Sequence, residues 1–308
     1  MNAILFPGQG SQVVGMGKEF YNNFEIVKKI FKKADEKLNF KISKIILEGP
    51  EDELKLTKNT QPAILMVSYA IFSVLQKEFN YDFSSTKYFA GHSLGEYSAL
   101  VCSEALKFED AIYLLYERGK AMQEAVPVGK GKMIAVLGSQ INELKEFIDK
   151  INNKGVCEIA NDNAEGQTIL SGDINSIDTL QNILKENKKK FIPLNVSAPF
   201  HCSLMNEASV SMKDKINSTT FTKPKFNIIC NVTSKPENNP ENIKRLLIEQ
   251  IYSTVRWRES ILHMSKEKIT DFIEIGPGKV LIGMVKRTIK DTKCFSINSI
   301  DDIKKVIS

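Results

Sequence analysis

Histidine is the scarcest chemistry-bearing residue in this 308-residue chain, with only His92, His201 and His263. None belongs to an H-E-x-x-H pair, which argues against a catalytic metal. Cysteine occurs five times, at Cys102, Cys157, Cys202, Cys230 and Cys294, and never as C-x-x-C. An odd, scattered set argues against a disulfide framework and a thiolate zinc site, and fits a reducing, cytoplasmic setting. No apolar run approaches the roughly 20 residues of a membrane span. The opening Met1-Asn2-Ala3-Ile4-Leu5-Phe6 lacks the basic flank and long apolar stretch of a secretion signal, and reads as a first strand. Neither sign of charge dominates: 42 Lys and Arg against 37 Asp and Glu leave +5. The densest basic cluster, Lys185 with Lys188, Lys189 and Lys190, reads as a solvated helix end favoured by the helix dipole. Neither nucleic acid nor a membrane is expected as a partner.

What is present is a globular balance of 42% apolar and 26% charged residues, in a chain long enough for one large core or two domains. The first half alternates strand and helix. A strand is expected over 4–6 and a helix over 24–38. A long helix should open at Thr60-Gln61-Pro62 and run to residue 79, capped by Thr60. It is apolar almost all round and should be central. A strand over 87–91 and helices over 94–105 and 108–125 follow. Such alternation predicts an α/β fold with a mainly parallel sheet covered by helices. Near Val126-Pro127-Val128-Gly129 the pattern changes. Strand, helix, strand, strand, helix and strand then follow over 133–137, 141–151, 156–160, 167–171, 174–185 and 190–194, the ferredoxin-like α+β order. The expected division is a discontinuous large domain, 1–128 and 196–308, with a small domain inserted over 129–195. Alternation resumes with a strand over 226–230, a helix over 240–252 and a strand over 269–275.

The strongest single feature is Gly91-His92-Ser93-Leu94-Gly95-Glu96, which follows the apolar run Tyr88-Phe89-Ala90 and precedes a helical pattern. Strand, Gly-x-Ser-x-Gly and helix in that order make a nucleophile elbow. The flanking glycines tolerate a turn too tight for a Cβ. The Leu94 N–H then sits at a helix N-terminus, facing the place of a developing oxyanion. A serine needs a base. His92 should face away from the Ser93 hydroxyl, and His263 lies on an expected surface helix. His201, in the loop where the chain re-enters the large domain, is the better candidate. The Gly-rich turn Phe6-Pro7-Gly8-Gln9-Gly10 lacks the third glycine of a dinucleotide fingerprint. It offers the Gln9 N–H as a second oxyanion donor. Arg118 lies on or beside the apolar face of its helix, as either a buried ion-pair member or a carboxylate clamp.

Taken together, these motifs resemble the malonyl-CoA:acyl carrier protein transacylases of type II fatty-acid synthesis. The likeness runs through Thr60-Gln61-Pro62-Ala63, the elbow, Arg118-Gly119-x-x-Met122, Asn161-x-Asn163, Phe200-His201-Cys202-Ser203-Leu204-Met205, Glu249-Gln250 and Glu274-x-Gly276-Pro277-Gly278. The resemblance implies an α/β-hydrolase-like large domain with a ferredoxin-like insert. It implies that Ser93 is acylated, that His201 is the general base, and that the backbone carbonyl of Gln250 orients the imidazole. Gln9 and Leu94 would supply the oxyanion hole, and Arg118 the clamp for the substrate carboxylate. Met122 and Phe200 would line the acyl pocket, with Asn161 beside the thioester and pantetheine channel. The implied partners are malonyl-CoA and holo-acyl carrier protein, with no cofactor and a monomeric enzyme. Cys202 and the lysine-rich helix receive no role. Two other classes fit parts of the pattern: a serine hydrolase of esters or thioesters, with water as acceptor, and a carrier-protein-binding scaffold with a decayed site.

Overall fold

Strand β1 (Asn2–Phe6) is buried at every position, as a central strand of a parallel sheet covered on both faces must be. It belongs to the computed structural model of the chain, which describes residues 1–151 and 155–307. The remaining strands are β2 (Thr86–Gly91), β3 (Gly131–Leu137), β4 (Cys157–Ala164), β5 (Gln167–Asp173), β6 (Lys190–Pro193), β7 (Asn227–Ile229), β8 (Pro236–Glu237), β9 (Asp271–Ile275) and β10 (Lys293–Ile297). They form a six-stranded sheet in the order β10-β9-β1-β2-β7-β8 and a four-stranded sheet in the order β4-β5-β3-β6. The larger sheet is parallel except where β8 pairs with β7. The smaller is antiparallel throughout.

Strand periodicity divides the core. Ile4, Phe6 and Phe89 belong to the apolar cluster on one face of the large sheet. Ala3, Leu5, Tyr88 and Ala90 belong to the cluster on the other, with Trp257 and Phe272. The first face is covered by helix Thr57–Lys77, which is buried along most of its length. The sequence expectation placed its start at Thr60. The helix begins three residues earlier, because Leu56 enters extended and its carbonyl takes the N–H groups of Asn59 and Thr60. Thr60 is therefore no cap; its hydroxyl donates back to the Leu54 carbonyl. A third cluster lies between the small sheet and the helices Ile141–Asp149 and Ile174–Glu186. The lysine cluster runs past the latter helix into β6, and Lys189 pairs with Glu143 at 2.6 Å. Beyond β7 the chain forms β8, and Asn239 caps helix Pro240–Gln250.

The two sheets are tied beside the elbow. Buried Asp162 on β4 accepts from Arg258 Nε at 2.9 Å, on helix Trp257–Lys266. Backbone bonds from Val255 N–H to the Ala160 carbonyl and from Asp162 N–H to the Val255 carbonyl add a short parallel bridge. This seam carries Asn161 to the edge of the site.

The elbow itself joins β2 to helix Gly95–Cys102. A Cβ on Gly91 would lie 1.9 Å from the Gly95 carbonyl carbon and oxygen, and one on Gly95 would lie 2.2 Å from the Phe6 carbonyl oxygen. Both approaches are backbone against backbone, so no side chain can give way. Gly91→Ala is expected to lower folding stability by at least ~2 kcal/mol, read from urea unfolding midpoints. An unchanged midpoint would show that the turn relaxes freely.

Candidate active site

Ser93 has φ 53°, in the left-handed region that a side chain other than glycine's enters at a cost. The turn holds its hydroxyl clear of β2 and over a cavity of 210 Å³ between the two sheets. His201 also has positive φ, 56°, in the loop that follows β6. Two strained residues meet there: Ser93 Oγ lies 2.8 Å from His201 Nε2. On its other side, His201 Nδ1 lies 2.8 Å from the Gln250 backbone carbonyl oxygen. A carbonyl only accepts, so Nδ1 carries the proton and Nε2 presents a lone pair to the serine. The third group is Arg118, from helix Phe108–Glu124. Its Nη2 donates to Ser93 Oγ at 3.1 Å and to Gln250 Oε1 at 2.9 Å, and its Nη1 donates to Gln61 Oε1 at 2.7 Å. Its guanidinium carbon lies 5.9 Å from the centre of the Tyr97 ring.

The expected site residues gather around these three. Gln9, Leu94, Met122, Asn161 and Phe200 line the same cavity, and Gln250 lies behind it. Among the described residues, neither the Gln9 nor the Leu94 N–H has a protein acceptor. His92 turns away, as its place in the elbow requires. Its Nε2 meets Asn163 Oδ1 at 2.8 Å, with its ring edge-on to Trp257. His263 stays outside the site, its ring beside that of Tyr88.

The acyl transferase domain family matches residues 4–306. The malonyl CoA-acyl carrier protein transacylase of Bacillus subtilis is 43% identical over 99% of this chain and 96% of its own length. The chain belongs to this family of acyl transferases. An acyl-carrier-protein S-malonyltransferase from Bartonella henselae superposes with a TM-score of 0.96 at 39% identity, covering 99% of this chain and 98% of the other. A malonyl-transacylase solved in complex with a type II PKS acyl-carrier protein matches at TM-score 0.95 and 34% identity, over 99% of this chain and 98% of that one.

Within this transacylase fold the site's titrating groups are buried, and their proton affinities respond to that. Burial pushes the His201 imidazole down to about 3, and the Arg118 charge acts in the same direction; the carbonyls of Gln250 and Ser253 oppose them. The imidazole is therefore neutral at ordinary pH, with Nε2 unprotonated. Burial also lowers Arg118 from its usual value, while Tyr97 and Glu96 act to hold its proton. Burial raises the Glu96 carboxyl to about 7 against the stabilising Asn231 N–H, Gln250, Cys230 and Arg118.

Three neighbours of the site escaped the sequence reading. Asn231, just beyond β7, accepts the Ser93 N–H through Oδ1 at 2.7 Å and donates through Nδ2 to the Gly91 carbonyl at 2.7 Å, locking both ends of the turn. Glu96 and Gln61 are buried partners of Gln250 and Arg118. Glu96 and Gln61 stood inside motifs and could have been flagged as polar residues within apolar helices. Nothing in Cys230-Asn231-Val232 marks Asn231.

In the free protein, His201 should show no imidazole titration between about pH 5 and 8 in ¹⁵N-resolved spectra, since burial holds it neutral far below the ordinary histidine range. A midpoint near 6.5 would mean that burial does not hold the imidazole neutral.

Proposed function

We propose that this transacylase moves a malonyl group from malonyl-CoA to the phosphopantetheine thiol of holo-acyl carrier protein through a malonyl-Ser93 ester. The observation that carries this reading is the convergence of a nucleophile, a neutral base and a buried guanidinium in one cavity. The guanidinium adjoins the nucleophile, so the acyl group bound there should itself carry a carboxylate. The names of the relatives point to the same substrates.

The reaction follows from the hydrogen bonds. His201 Nε2 takes the Ser93 proton as Oγ attacks the thioester carbon. The carbonyl oxygen becomes an oxyanion and accepts from the unpartnered N–H groups of Gln9 and Leu94. Each such donor typically contributes about 3 kcal/mol to transition-state stability. Collapse expels the CoA thiolate, which receives the proton from His201. The carrier thiol then enters, gives its proton to His201 and attacks the ester, and Ser93 leaves and is reprotonated. Kinetics are ping-pong. Gln250 fixes the imidazole tautomer through a neutral carbonyl, where hydrolase triads use a carboxylate. Arg118 exchanges its neutral oxygen partners for the malonyl carboxylate, a bidentate match to its planar fork. Met122 and Phe200 bound the acyl space, and Asn161 faces the channel from β4.

The same reading supplies the finer description of the fold. The large sheet with its elbow is α/β-hydrolase-like. The β-α-β-β-α-β order and the β4-β5-β3-β6 arrangement of the small sheet are ferredoxin-like. The domains divide near 129 and 195. The chemistry calls for no cofactor, and the free cysteines suit a reducing cytoplasm. The enzyme is read as a monomer.

Brief mixing with malonyl-CoA should add one malonyl mass to the wild-type protein and none to Ser93→Ala, read by intact mass spectrometry. A malonylated Ser93→Ala protein would put the nucleophile elsewhere. Arg118→Ala should lose about 100-fold or more in kcat/KM for malonyl-CoA while acetyl-CoA transfer holds or rises, because acetyl brings no charge to a dry site. Equal losses for both substrates would remove the clamp.

A further inference from the structure

Glu96 is fully buried one turn from the nucleophile, and the reaction above gives it no task. Its Oε2 accepts the Asn231 backbone N–H at 3.0 Å and Gln250 Nε2 at 2.7 Å. The other end of the same amide, Gln250 Oε1, accepts from Arg118 Nη2 at 2.9 Å. The carboxylate and the guanidinium thus sit at opposite ends of one amide group. Arg118 Nε is buried and has no partner, and among the described residues no carboxylate pairs with the guanidinium directly.

This spacing has a consequence for which acyl groups the site accepts. A carboxylate touching Arg118 would satisfy the cation from within, and a substrate carboxylate would then have to displace it. With no counter-charge nearby, the charge of a buried guanidinium would go uncompensated. A carboxylate one amide away compensates the charge, polarises the Gln250 carbonyl and leaves the guanidinium with only neutral oxygen partners. Those are weaker acceptors than a carboxylate, so an incoming one displaces them.

We infer that Glu96 is a specificity-determining positioning residue: through the Gln250 amide it compensates the buried Arg118 charge and keeps the guanidinium aimed at Ser93, so that the site selects acyl groups ending in a carboxylate. The inference rests on the malonyl-transfer reading and names a further residue of the same site. Gln250 also orients His201 through its backbone carbonyl, so one residue links acyl selection to the base. The groups facing Glu96 are Arg118 from helix Phe108–Glu124, Cys230 and Asn231 from the end of β7, and Gln250 from helix Pro240–Gln250, with Tyr97 next to it in the chain. Because burial holds the Glu96 carboxyl near 7, acid should protonate it and remove the counter-charge. Selectivity is then present above that value and lost as pH falls through it.

The test is Glu96→Gln in the full chain, with malonyl-CoA and acetyl-CoA as donors and holo-acyl carrier protein as acceptor. The glutamine carbonyl can keep both hydrogen bonds of Oε2, so the change removes charge and little else. The ratio of kcat/KM for malonyl-CoA over acetyl-CoA should fall about tenfold or more. The loss should sit mainly in the malonyl-CoA KM, and the wild-type fall in that ratio below about pH 7 should vanish. A folded variant that keeps wild-type selectivity and pH dependence, or that loses both donors equally, overturns the inference. If Glu96→Gln does not fold, Gln250→Met breaks the amide bridge instead; collapse of the ratio supports the inference and an unchanged ratio overturns it. Intact-mass detection of malonyl on wild-type Ser93 separates failure of this inference from failure of the underlying reading.

Discussion

Arg118 is 1% exposed, and none of its hydrogen bonds goes to a charged acceptor. Burying a cation in this way is costly unless the surroundings are built around it. Here they are. Gln61 from helix Thr57–Lys77, Tyr97 and Ser93 from the elbow, and Gln250 from helix Pro240–Gln250 each offer an oxygen or a ring face. Removing the cation would leave those oxygens turned toward nothing. The rest of the site can be traced from this constraint, because the groups that hold the guanidinium also hold Ser93 and His201.

The elbow contributes a second, mechanical constraint. Gly91 and Gly95 bring backbone against backbone, and Ser93 and His201 both take positive φ. Asn231 bonds both the Ser93 N–H and the Gly91 carbonyl and so over-determines the turn. Local strain of this kind persists only where the surroundings leave the chain no alternative. The strained groups face one another across 2.8 Å, so the strain is stored where the proposed proton transfer takes place.

Desolvation works on both sides of this chemistry. It keeps the His201 imidazole neutral, and it raises Glu96 into the range where its charge responds to pH. The same burial strengthens each hydrogen bond from Arg118. The seam between the sheets, where Asp162 meets Arg258 and Asn163 meets His92, closes the site on the side of the small sheet.

The elbow, the alternation of strands and helices and the ordered motifs were legible because they are local. A Gly-x-Ser-x-Gly turn between a strand and a helix leaves its mark within a few residues, and helical or strand periodicity within a dozen. The start of the central helix was misread because a threonine before a proline carries the usual cap signal, while Leu56, which opens the helix, carries none. Arg118 remained ambiguous from its own residues, since its helical position fits an ion pair and a clamp equally. What sets aside the ion pair among the described residues is that Gln61 and Gln250, 57 and 132 positions away, bring neutral oxygens and no carboxylate. Asn231 and the Glu96–Gln250 link were invisible for the same reason. The sequence by itself determined which groups were available and where the chain turns sharply; folding decided which of them share a buried volume, because burial and hydrogen-bond partners are set by neighbours in space that no stretch of chain contains.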